Sequence, residues 1–323
     1  MEMNEGPPAR WFVHRATADD DVELLQLFEE VFGYGMPLSQ WRWKYSASPV
    51  RGMVVRRADK AVAFFGGMPR SLQSPSGTVM AVQNGDVMVL PSQRGVFTRR
   101  GALYHAASAF FDQMVGPDKV YEFAFGFPSE RHFKLGVKLG LYVDSGRLVE
   151  LSWSAKPAET RLMTVTSRLD VSDIDAVVNK LWPSMQRSWP NEVIPKRDSE
   201  RWTLRFAEHP VNRYEMLVVN IRFLYKPLCA VVLREHAGHI DWLDFVGSLE
   251  SAASAIGAVR HFASQHQNKP VIALFSHNVA PAFSENATRV LSGICMPVNA
   301  RPKDEVRPYV NNLWCMGGDT DFL

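Results

Sequence analysis

Apolar residues recur along this chain at two periods, and the switching between them outlines the fold. Within residues 17–32, Val22, Leu25, Phe28 and Phe32 stand at helical spacing behind Asp19, Asp20 and Asp21. Acids in a first turn complement the helix dipole, Thr17 is a suitable N-cap, and Gly33 and Gly35 end the pattern. A short segment at 41–45 stops before Pro49. Residues 53–57 and 61–66 read as a strand hairpin turning at Asp59 and Lys60. Residues 79–82 and 86–90 predict further strands on either side of Asn84-Gly85. A helix over 101–114 presents Leu103, Ala106, Ala107, Phe110 and Phe111, and a strand (120–127), a short helix (129–139) and a strand (142–153) follow. This order predicts an α/β fold with a mixed, mostly antiparallel sheet flanked by helices.

The second half repeats the first. A polar stretch at 154–160, with Lys156, Pro157 and Glu159, reads as a linker. The next helix, 172–182, carries Ile174, Val177, Val178, Leu181 and Trp182. Then Trp202, Arg205, Phe206 and Pro210 stand at the spacing of Trp41, Lys44, Tyr45 and Pro49, in both cases after a helix and before paired strands. Strands at 216–220, 228–234 and 239–246, a helix at 252–263 and a strand at 271–275 complete the series. The pattern predicts a duplication: residues 1–153 as one domain, 154–160 as linker and 161–323 as a second.

Composition narrows the class. A chain of 323 residues supports two cores. The net charge of +2 gives no bulk reason to expect nucleic acid or a membrane as partner. Cys229, Cys295 and Cys315 are far apart and form no CxxC pair, so neither a metal site nor a redox motif is expected. The polar N-terminus and the lack of any apolar run of roughly 20 residues lead to a cytoplasmic expectation.

The chemistry concentrates after residue 85. An apolar strand ends at Pro91, a loop with Arg94 and Gly95 follows, and a helix opens near 98–101 beside Arg99 and Arg100. A strand end, a basic glycine loop and a helix N-terminus together form an anion site, because free N–H groups and the helix dipole both favour phosphate; a solvated basic turn is the plainer alternative. The run Val89-Leu90-Pro91-Ser92-Gln93-Arg94-Gly95 resembles the acyl-CoA loop of the GNAT acetyltransferases. Gly126-Phe127-Pro128-Ser129 and Lys138-Leu139-Gly140 resemble the closing segment of that family. Trp41-Arg42-Trp43-Lys44-Tyr45 and the ending from Trp314 to Asp321 resemble bacterial tandem-GNAT proteins.

The resemblance implies that the strand at 86–90 splays from the strand at 120–127 to admit the pantetheine arm of acetyl-CoA or another acyl-CoA. It implies Val87, Met88 and Val89 along that arm, and Gln93, Arg94, Gly95, Val96, Phe97, Thr98, Arg99, Arg100 and Gly101 around the pyrophosphate. Two features depart from the family. In the loop, Ser92 and Phe97 stand where the family normally has Gln or Arg and a small residue, and Gly136 stands where many members have the tyrosine that protonates the leaving thiolate. His132 and Tyr142 are the candidate substitutes, with Asp86 as a candidate base for the amine. A surface histidine, an ordinary strand tyrosine and a turn residue are the respective structural alternatives.

The implied reaction is direct attack of a small-molecule amine on the thioester, with a backbone N–H near Val89 polarising the carbonyl. The second half has Gly247-Ser248-Leu249-Glu250 in place of the basic loop. It is therefore expected to bind no CoA, to buttress the first half and to shape the acceptor cleft, with Trp314, Asp319 and Asp321 as candidate lining and a docking tail as the plainer alternative for them. A monomer or a homodimer fits this plan. Two other readings stay open: a non-catalytic ligand-binding protein, and acyl or aminoacyl transfer from a carrier protein or tRNA.

Overall fold

The first half of the chain begins with β1 (Phe12–Arg15), α1 (Asp21–Phe32) and α2 (Leu38–Lys44). The antiparallel run β2 (Gly52–Arg57), β3 (Lys60–Ser74) and β4 (Gly77–Val89) follows, then α3 (Ala102–Met114), β5 (Phe123–Gly126), α4 (Glu130–Lys138) and β6 (Val143–Trp153). The second half repeats this plan with β7 (Thr164–Arg168), α5 (Ile174–Ser188), a two-residue β8 (Ile194–Pro195), α6 (Ser199–Trp202), β9 (Glu215–Ile221), β10 (Lys226–Glu235) and β11 (Ile240–Gly247). It ends with α7 (Ala252–Gln265), β12 (Val271–Ser276) and β13 (Thr288–Asn299). The computed structural model describes residues 11–94, 99–157 and 163–322.

All these strands form one sheet in the order β1-β2-β3-β4-β5-β13-β6-β12-β11-β10-β9-β7, with β8 paired to β3. Only β4–β5 and β11–β12 are parallel. The order is symmetric about its centre, and the halves exchange their last strands: β13 pairs with β5, and β6 with β12. The exchange gives the molecule a third core, in which Phe123 stacks on Tyr309 at 3.9 Å, between the cores of the two halves. Among the described residues no helix is long and apolar enough to cross a membrane.

Four expectations need correction. Residues 79–82 and 86–90 belong to one strand, β4, and Asn84-Gly85 is not a turn. There β4 carries a β-bulge: Asp86, with φ +47°, and Val87 together stand opposite Phe65. The buried face of α1 is Asp21, Leu24, Leu27 and Phe28, while Val22 is exposed. Helix α5 continues through Pro183 to Ser188. Strands β1, β7, β8 and β13 were not expected.

The paired motifs occupy equivalent places. Trp41 and Trp202 are both fully buried. Lys44 and Arg205 both reach the C-terminal segment, Lys44 at the Asp321 carboxylate and Arg205 at the carbonyls of Gly318 and Thr320.

Candidate functional site

Strands β4 and β5 pair from Ala81↔Phe123 to Asn84↔Gly126 and then separate. Beyond Asn84 the β5-facing edge of β4 meets no strand among the described residues. The bulge at Asp86 bends β4 at the point of separation. Past the bulge Leu90 donates its N–H to Val62 of β3. Antiparallel bonds alternate, so the Val89 N–H points to the opposite edge, toward the gap. Val89 also offers its carbonyl there, and Arg94 Nε donates to it at 2.9 Å.

A cavity of about 300 Å³ lies in this gap, lined on β4 by Gly85, Asp86 and Val87 and on β5 by residues 124–126. His132 and Tyr142 face it from the far side. Met88 is turned away: its side chain is fully buried in the first core and its amide belongs to the β3 pairing.

The pair His132 and Tyr142 is set by Gly136. A Cβ at Gly136 would run into the Tyr142 ring. The absence of a side chain on α4 thus lets the ring of Tyr142 occupy that space from the start of β6. Its hydroxyl lies 3.3 Å from His132 Nε2. Burial pushes the Tyr142 phenol well up and lowers His132 to about 4, so at neutral pH both groups are uncharged.

Asp86 is not a free carboxylate. Lys44 Nζ holds its Oδ1 at 2.8 Å, and the Tyr45 hydroxyl donates to its Oδ2 at 2.7 Å. Lys44 also reaches Asp321 Oδ2 at 3.2 Å. Burial works against the Lys44 ammonium, but the charges of Asp86 and Asp321 outweigh it and raise its pKa. Two glycines make the cluster possible: a Cβ at Gly66 would strike the Tyr45 hydroxyl, and one at Gly85 would strike Asp321. This network was not foreseen as a unit. The shared spacing of Lys44 and Arg205 was its one sequence signal.

A second cavity, about 460 Å³, lies between the halves. It shares Tyr34, Met36, Lys44, Asp321 and Phe322 with the first. Asp321 is thus the carboxylate at the junction. Asp319 and Trp314, expected beside it in a cleft, are instead buried in the second half. Arg197 bonds Asp319 at 2.5 Å and Asp244 at 2.7 Å, and stacks over Trp314 at 4.4 Å.

The expected pyrophosphate residues fall around the start of α3. Helix α3 begins at Ala102 with Gly101 as an N-cap that offers no side-chain bond. Arg94, Arg99 and Arg100 are exposed next to it, and Gln93 accepts a bond from Arg57 at 3.2 Å. Gly95, Val96, Phe97 and Thr98 lie outside the described residues. In the second half, Gly247 leads into Leu249 and Glu250 with no arginine. A further polar cluster, His236, His239 and Asp241, lies on the β10–β11 hairpin, where Arg234 already pairs with Asp241 at 3.1 Å.

Residues 13–135 match the family model described as an acetyltransferase (GNAT) domain. No curated protein matches the chain by sequence. Solved structures match over nearly its full length at low identity. A conserved protein of Enterococcus faecalis V583, described as a probable N-acyltransferase, is 12% identical with a TM-score of 0.68, over 92% of this chain and 74% of that one. A GCN5-related N-acetyltransferase from Kribbella flavida is 15% identical with a TM-score of 0.66, over 90% and 72%. Saccharomyces cerevisiae N-myristoyltransferase, solved with myristoyl-CoA and inhibitors, is 11% identical with a TM-score of 0.57, over 92% and 81%. Residues 13–135 thus match a GNAT acetyltransferase domain, and the chain as a whole shares its fold with solved N-acyltransferase structures.

Proposed function

We propose that the protein is an N-acyltransferase that takes an acyl group from acetyl-CoA or another acyl-CoA and passes it directly to an amine. In this reading the chain is two tandem GNAT-like domains, 1–153 and 161–323, and only the first holds the donor. The observation that carries it is the gap after Asn84↔Gly126, toward whose edge the Val89 N–H points and whose cavity Tyr142 lines. The pantetheine arm lies along β4 at Val87 and Val89. The pyrophosphate sits at the N-terminus of α3, near Arg94, Arg99 and Arg100.

The amine enters from the larger cavity and gives its proton to Asp321, the carboxylate common to both cavities. Lys44 and Asp86 hold Asp321 in place. The amine nitrogen attacks the thioester carbon, and the Val89 N–H bonds the carbonyl oxygen as negative charge develops. The C–S bond then breaks as the nitrogen gives up its second proton to water, and Tyr142 donates its proton to the departing sulfur. His132, neutral with its proton on Nε2, donates to the Tyr142 oxygen and stabilises the phenolate until water returns the proton.

Calorimetric titration of the folded protein with acetyl-CoA and with a longer acyl-CoA tests the donor. One site per chain at micromolar affinity is expected for at least one of them. No binding of either would sink the proposal.

A further inference from the structure

The larger cavity holds an unusual concentration of guanidinium groups. Arg70 of β3, Arg201 of α6 and Arg205 just beyond it all line it. The other charges there are largely matched. Lys196 pairs with Asp198 at 2.5 Å, and Lys44 is held between Asp86 and Asp321. Glu200 is exposed at the rim.

Among the described residues neither Arg70 nor Arg201 bonds a carboxylate, and the charges of Asp319 with Asp321 on Arg70, and of Asp319 with Asp244 on Arg201, act only from a distance and do not offset burial. Arg70 donates only to neutral groups: Gln83 Oε1 at 2.9 Å, the Pro69 carbonyl at 2.9 Å and, weakly, Met68 Sδ at 3.9 Å. The guanidinium of Arg201 meets no acceptor within bonding distance among the described residues. Both are largely withdrawn from water, and burial together with neighbouring arginines lowers both pKa values, Arg201 to about 10 and Arg70 well below its ordinary value. Withdrawn guanidinium groups that repel one another are costly without a counter-anion. Each presents the planar donor fork that suits a carboxylate or phosphate.

We infer that the acceptor is an amine that also carries an anionic group, a carboxylate or phosphate, bound between Arg70 and Arg201 in the cavity that ends at Asp321. This rests on the acyl-transfer reading above and names the substrate class for it. The anion anchors the far end of the acceptor and leaves its amine free to reach the Asp321 junction. A polyamine or amino sugar without an anion would leave the arginines unmatched and add charge of the same sign.

The test compares matched acceptors on the wild-type protein: an amino acid against its carboxamide, and an aminoalkyl phosphate against the corresponding amino alcohol. In at least one pair, the anionic member should show kcat/KM higher by roughly 100-fold, mostly through KM. The pair that discriminates identifies the anion. Arg70→Gln and Arg201→Gln should each raise KM for the anionic acceptor by roughly 10–100-fold, the range for one charge-assisted hydrogen bond, with acyl-CoA affinity unchanged. Neutral members accepted as well as anionic ones would overturn the inference and leave acyl transfer standing. If the donor does not bind, the acyl-transfer reading fails instead. Direct calorimetry of anionic against neutral amines then tests the arginine pocket alone, with equal affinities overturning it.

Discussion

In both halves of the sheet a strand parts from its parallel neighbour: β4 leaves β5 after Asn84, and β11 leaves β12 after Asp241. Such a parting strands backbone N–H and C=O groups, which must find other partners. In the second half the chain supplies them itself. Met316 bridges to Phe275, Ser276 donates to the Cys315 carbonyl at 2.9 Å, and Gly318 packs so closely on β11 that a Cβ would come within 2.8 Å of the Leu243 carbonyl. Trp314 and Met316 are fully buried there. In the first half the corresponding opening holds a cavity of about 300 Å³. The same topology thus gives one opening closed by the protein's own C-terminal segment and one that holds a cavity. The segment also links them: Asp319 is held by Arg197 in the closed half, and Asp321 by Lys44 at the rim of the open one.

The comparison breaks most visibly if the closed half can be opened. Trp314→Ala should cost about 3–5 kcal/mol of stability, the usual cost of emptying a large aromatic site, read as a lower Tm and denaturation midpoint. Acyl-CoA should still bind at one site per chain; a second site would mean that the two openings are equivalent. On the open side, Val89→Pro removes an N–H that β3 does not use. It should lower kcat by ~10²–10³-fold, as loss of an oxyanion donor does, with secondary structure by circular dichroism unchanged. Unaltered kcat would assign carbonyl polarisation elsewhere. Tyr142→Phe should lower kcat by roughly 10²-fold at unchanged donor affinity.

The same pair makes a pH prediction. His132 is held neutral, with a folded-state pKa of about 4 against an ordinary value of 6.5. Between those values the unfolded chain binds the proton and the folded one does not, so the His132 contribution to stability falls as pH drops from about 6.5 toward 4 and levels off below. An NMR titration of the imidazole should give a midpoint near 4. A midpoint near 6.5 would place the ring in water, away from Tyr142.

The open site was more legible in the sequence than the closed one. Helix α3 and the strands around it follow from periodicity, and the basic loop stood out because strand, glycine, arginines and helix start are contiguous. Tyr142 could be named because it is near Gly136 in sequence. The phase of α1 was misread: Val22 and Leu24 both fit a helical stripe, and only packing against the sheet selects Leu24. The bulge at Asp86 and Val87, directly after Asn84-Gly85, looked like a turn, since both conformations favour Gly, Asn and Asp. Strand β13 has exposed Val290 and Leu291 at one end and Gly293 and Pro297 within it, so it lacks a strand's local pattern. Its exchange with β6 is a tertiary choice with no local signal. Arg70 and Arg201 are 131 residues apart, and nothing in either neighbourhood marks them as converging.

The smallest effect concerns the basic loop, the feature that most clearly separates the halves in sequence. Arg94 and Arg99 are exposed; Arg94 is engaged with the Val89 carbonyl, and Arg99 lies over the Tyr104 ring at 5.9 Å. Exposed charges act through water and salt, so each adds little to phosphate affinity. The N–H groups at the start of α3 are backbone and survive any side-chain change. Arg94→Ala with Arg99→Ala should therefore weaken acyl-CoA binding only about 10-fold at low ionic strength. The wild-type affinity should fall toward that of the variant as salt is raised. A loss far beyond this would mean that the arginines, rather than the helix start, hold the pyrophosphate. The absence of arginine beside Gly247 would then by itself predict that the second half takes no donor, even without the plug formed by its C-terminal segment.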